Sequence, residues 1–111
     1  YQALRLNVDG AGNTAVGMCA LRANTASNNT ALGTHALLAN VGASSLVAVG
    51  YCALASNNSS VAHNNTAVGM EALKSNSSAK RNTAIGNESM KNNSTGEYNT
   101  GVGAFTLYAN I

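Results

Sequence analysis

The chain has 111 residues, of which only 9% are charged, with no proline or tryptophan and a formal net charge of +2. Ordinary globular domains carry about a quarter charged residues, so asparagine, serine and threonine must supply solubility here. Glu71, Glu88 and Glu97 are interspersed among Lys74, Lys80, Arg81 and Lys91, which excludes a basic stripe for nucleic acid, and no apolar run is long enough for membrane insertion.

In chain order, residues 1–7 read as the second half of a unit. From Asn13 onward one sentence recurs, roughly Asn-Thr-Ala-Val-Gly-x-x-Ala-Leu-x-x-Asn. Its glycines are Gly17, Gly33, Gly50, Gly69, Gly86 and Gly103, spaced 16, 17, 19, 17 and 17 residues apart. A unit this short cannot bury its own apolar face, so each is one coil of a solenoid stabilised by its neighbours. Residues 1–111 are thus expected to form a single array of about six to seven coils, all-β, with about 17 residues per coil. Because the chain begins in mid-unit and stops as another corner opens at Asn110, it is expected to be a segment of a longer fibre.

Within each coil the residues leading into glycine, such as 65–69, read as a strand. Side-chain alternation puts Thr66 and Val68 on one side and Ala67 on the other. The column before glycine (Val16, Leu32, Val49, Val68, Ile85, Val102) is expected to point inward, and the glycine itself to turn the chain. The next segment, for example 70–76, reads equally as one short helical turn or as a bent strand. It carries the expected core stack of Leu4, Leu21, Leu37, Leu54, Leu73, Met90 and Leu107, each preceded by a small residue such as Ala20 or Ala72. Asn7, Asn24, Asn40, Asn57, Asn76, Asn93 and Asn110 form a further column. Asparagine closes turns with its side chain, and stacked amides can bond along the axis as a ladder.

Length changes fall between that asparagine and the next strand. The stretch is usually five residues, but four at 25–28 and seven at 58–64. Insertions are tolerated where a coil faces solvent, so this corner is the outer edge, and the longest bulge (Asn58, Ser59, Ser60, Val61, Ala62, His63, Asn64) is the candidate recognition loop. With leucine and valine its largest core residues, one coil encloses little apolar volume, and lateral association of several chains is expected to add burial. The apolar residues after glycine, Tyr1, Met18, Tyr51 and Met70, point the same way.

Cys19 and Cys52 share one column with His35 between them. Two coil spacings, about 10 Å, exceed the reach of an intrachain disulfide, so both are expected to be free thiols. A straight ladder also diverges where a structural zinc site needs four converging ligands, so no metal or other cofactor is expected. His35 and His63 lie on different columns and Asp9 is the only aspartate, which gives catalysis no triad to converge, and no enzyme function is expected. Asn-x-Ser/Thr motifs at Asn28, Asn57, Asn58, Asn64, Asn76, Asn87, Asn92 and Asn93 largely reflect composition.

Asn65-Thr66-Ala67-Val68-Gly69 followed by Ala72-Leu73 resembles the repeats of trimeric autotransporter adhesin heads and of phage and viral tail or surface fibres, over nearly the whole chain. Leu46-Val47-Ala48-Val49-Gly50 stands nearest to the adhesin wording. The resemblance implies a left-handed parallel β-roll, assembly as a homotrimer, and a place on a cell or virion surface. The expected function is then a structural segment of a trimeric fibre that extends or contributes to an adhesive tip. Two other readings carry weight: a glycan-binding adhesin whose outer loops contact a host surface glycan or protein, and an ice-binding solenoid using Thr14, Thr30, Thr66, Thr83 and Thr100. The latter is weakened by Val47, which interrupts the column, and by the expected inward valines on the same face.

Overall fold

The structure, a computed structural model, describes residues 1–110; the last residue of the expected array lies outside it. Six three-residue strands, β1 (Thr14–Val16), β2 (Thr30–Leu32), β3 (Val47–Val49), β4 (Thr66–Val68), β5 (Thr83–Ile85) and β6 (Thr100–Val102), form one parallel sheet in sequence order. Pairing is in strict register, Thr14 with Thr30, Ala15 with Ala31 and Val16 with Leu32, and likewise onward through the stack. The result is a β-solenoid measuring 34 × 24 × 16 Å, with about 17 residues in each coil and no helix among the described residues.

Alternation along the strands holds, but in the opposite sense to the one expected. The alanines point inward: Ala31, Ala48, Ala67 and Ala84 are fully buried, whereas Val16, Leu32, Ile85 and Val102 are exposed. The reason is volume. In a body 16 Å thick, the space beneath the strand is already filled by leucines from across the coil and by buried asparagine amides, leaving room for a methyl group. β6 shows how tight the fit is. Its inward residue is Gly101, and a β-carbon there would lie 3.0 Å from the hydroxyls of Ser89 and Thr106, which replace alanine in the facing column and pair with each other at 2.8 Å.

The segment after each glycine is neither the helical turn nor the bent strand expected, but a succession of tight turns. In the coil of β2, Ala36 N–H returns to Gly33 O (3.2 Å), Leu38 N–H to His35 O (3.3 Å) and Asn40 N–H to Leu37 O (3.3 Å). The first two turns hold a left-handed residue in their third position, His35 at φ 60° and Leu37 at φ 51°. Left-handed backbone in an L-residue costs roughly 1–2 kcal/mol. Alternating hands, however, aims successive amides along the axis: His35 N–H reaches Met18 O (2.9 Å) in the coil before, and Leu37 N–H reaches Ala53 O (3.0 Å) in the coil after. The axial bond contributes about 1 kcal/mol and burial of leucine about 1.5–3 kcal/mol, which together outweigh the strain. Leu21, Leu37, Leu54, Leu73 and Met90 are fully buried, Leu4 is partly buried, and Leu107 in the last coil is exposed.

Two columns of buried asparagine complete the interior. In the column after the leucines, every Nδ2 but that of Asn93 donates to Oδ1 of the previous coil: Asn24 to Asn7 (2.7 Å), Asn40 to Asn24 (2.7 Å), Asn57 to Asn40 (3.1 Å), Asn76 to Asn57 (2.7 Å) and Asn110 to Asn93 (3.1 Å). The second column precedes the strands. Asn13, Asn29, Asn65 and Asn82 each accept the main-chain N–H of the following coil at 2.8–3.0 Å, from Asn29, Leu46, Asn82 and Asn99. Leu46 stands in this column as its apolar member, in the same coil where Val47 replaces threonine. Since a buried amide left unpaired costs about 1–3 kcal/mol, the ladders fix coil spacing as well as satisfy it.

Candidate functional site

Three surfaces could meet a partner, and they differ in chemistry. The outer face of the sheet carries, coil by coil, threonine (valine at Val47), a branched aliphatic residue, and the residue after glycine. From Thr14 to Ala104 none of these positions is charged. Thr14, Thr30 and Thr100 are exposed and Thr66 and Thr83 half-buried, so the hydroxyl column faces solvent together with the valines. Met18, Tyr51 and Met70, about half exposed, line one margin of this face. Hydrogen bonding and charge interaction with Cys52 push the Tyr51 phenol up from its ordinary value, leaving it a neutral hydroxyl at physiological pH. Every strand residue pointing outward is β-branched apart from Leu32, and β-branched side chains hold one strongly restricted χ1.

The turn side is charged and largely self-neutralised. Glu71 bridges two coils, meeting Lys91 at 2.6 Å and Lys74 at 2.9 Å, while Lys91 also meets Glu88 at 3.1 Å. Hydrogen bonds from Lys91 and then Lys74 hold the Glu71 carboxyl below its usual range, and the same carboxylate, followed by Glu88, raises Lys91. Lys74 is raised by Glu71 in turn.

The third surface is the outer corner, where the candidate recognition loop is tied inward. Ala62 is fully buried and His63 is half-buried, its Nδ1 accepting the main-chain N–H of Ser44 at 2.9 Å. Asn64 N–H bonds Ser44 O at 3.2 Å, and Arg81 N–H bonds His63 O at 3.1 Å. Asn58, Ser60, Val61 and Asn64 remain exposed, but the His63 imidazole is engaged in holding the loop to the coil before. The insertion is accommodated without interrupting either flanking strand pair.

Cys19 and Cys52 are buried free thiols; Cys19 Sγ lies 3.7 Å from Gln2 Oε1. Among the described residues, no group of three or more potential ligands is placed to hold a metal ion, no cavity opens for a small molecule, and no helix is long and apolar enough to cross a membrane. The sequence motifs at Asn57, Asn76 and Asn93 lie in the buried ladder, whereas Asn28, Asn58, Asn64 and Asn92 are exposed. Sequence reasoning missed the second amide column, although asparagine before threonine in five coils was its visible signal.

The fold and its surfaces define a parallel β-solenoid repeat array. Compared with protein-family models, with curated proteins and with solved structures, the chain matches none.

Proposed function

We propose that the chain is a structural segment of a fibre displayed outside a cell or on a virion, serving as a rigid spacer for whatever lies beyond it. The observation that carries this reading is axial continuity. Main-chain bonds, two amide columns and the leucine stack pass from coil to coil, so that bending the body requires stretching many contacts at once. In the middle coils the inward positions are closed within one chain, Ala31 to Ala84 and Leu21 to Met90, and the three copies that the resemblance implies would stiffen the rod without being needed to complete that part of its core.

Small-angle X-ray scattering combined with light-scattering mass tests the reading. The expected result is a rigid particle whose dimensions per copy agree with 34 × 24 × 16 Å. A flexible, expanded profile would overturn it. The mass separately counts the copies, and three is the number expected.

A further inference from the structure

We propose that the uncharged outer face of the sheet is an ice-binding surface: a lattice of threonine hydroxyls and branched methyl groups that holds water in positions continuous with ice. With alanine inside, Thr30, Thr66 and Thr83 share the solvent face with Leu32, Val68 and Ile85, and the inward valine that would have denied the hydroxyls access does not exist.

Three features select a crystalline partner over a protein one. The first is periodicity along the axis, carried by two parallel ranks. Strict register repeats each side chain at the coil spacing, about 4.8 Å, and alternation separates threonine from its aliphatic neighbour by about 6.7 Å on one strand. Ice likewise presents its oxygens as equal repeats on a fixed two-dimensional lattice, a kind of regularity that a protein surface does not share. The second is rigidity. β-branched rotamers and the ladders beneath fix the array before contact, so little side-chain freedom is lost on binding. The third is charge: lysines and glutamates, which hold tightly structured water of their own, are confined to other surfaces.

Each hydroxyl or methyl contributes weakly, but the fixed spacing lets many act together, and simultaneous engagement turns weak contacts into lasting adsorption. Val47 removes one hydroxyl while preserving a branched shape in the rank. The inference rests on this face remaining outside, whether the rod contains one copy or three.

The test is thermal hysteresis and ice-crystal shape in a nanolitre osmometer, using the 111-residue chain with folding checked by circular dichroism. Faceted crystals and measurable hysteresis are expected from the native chain and from Ser75→Lys on the opposite surface. Thr66→Lys should lose the activity, whereas Thr66→Ser, which keeps the hydroxyl and removes the methyl, should reduce it. Absence of hysteresis in the folded native chain, or its full retention in folded Thr66→Lys, would overturn the proposal. So would protection of a Thr66→Cys thiol from labelling, because the face would then be covered by another copy. Absent hysteresis leaves the scattering profile that tests the rod unchanged, whereas a face covered by another copy registers there as added mass.

Discussion

The sheet side and the turn side of each coil both require positive φ, but they obtain it from different residues. At the end of each strand the glycine sits far to the right of the left-handed basin, Gly50 at φ 129°, in backbone that side chains essentially never occupy. On the turn side, Cys52 at φ 55° and Leu54 at φ 50° sit within that basin, which an L-residue can enter at moderate cost. Glycine is therefore obligatory on one side, while on the other the stack imposes the conformation on whatever residue packs or bonds there. The first site is specified by backbone chemistry and the second by burial.

The largest effect should come from attacking burial directly. Leu54→Asp places a charge in the closed interior of the stack and is expected to abolish folding. A cooperative melt and native circular dichroism in that variant would refute the account of the turn side. Gly50→Ala should follow closely, because its β-carbon would meet Gly69 O at 2.6 Å in addition to the strained φ. A loss of about 3 kcal/mol or more in denaturant melts is expected, whereas Cys52→Ala two residues later should remain within about 1 kcal/mol of native. Equal losses would erase the distinction between the two sides.

Asn57→Ala removes a ladder member and leaves the amides of both neighbours short of a partner, for an expected cost of about 1–3 kcal/mol. Glu71→Gln should have the smallest effect, about 0.5 kcal/mol, since the carboxylate is near the surface and screened by salt. Its pH dependence has a definite sign. The folded carboxyl is depressed, so its stabilisation is complete above the ordinary carboxylate range and disappears as pH falls through the lowered value. Lys91, raised by the same contacts, loses its contribution only as pH rises beyond the ordinary lysine range. The melting difference between native and Glu71→Gln should therefore be flat around neutrality and vanish in acid.

Much of this architecture was legible in the residues. The glycine period defined the coil, the leucine column marked the stack, and Asn24 to Asn110 marked a ladder. The sense of the strand was not legible, because a period of two allows either face to turn inward. The choice between Ala67 and Val68 depends on how much space Leu73 and the amides leave beneath them, a property of the closed coil. The turns at Cys52 and Leu54 were hidden for a related reason: nothing local favours left-handed backbone at leucine. His63 attracted attention as a possible recognition residue, but its acceptor role depends on Ser44, nineteen residues earlier in the chain.

The amide ladder also gives the body an electrical head and tail. Every link runs from a later nitrogen to an earlier oxygen, so the side-chain dipoles add along the axis and polarise one another. The series has one fault. Among the described residues Asn76 Oδ1 alone of the buried side-chain oxygens receives no hydrogen: Asn93 keeps the bond to its own corner, Gly96 O at 2.9 Å, that Asn40 and Asn76 make to Ala43 O and Ala79 O, but lacks their second bond to the coil before. That seam divides the row into a run from Asn7 to Asn76 and a shorter pair, Asn93 with Asn110. The pair should unzip first, and its protons should exchange ahead of those beneath the longer run.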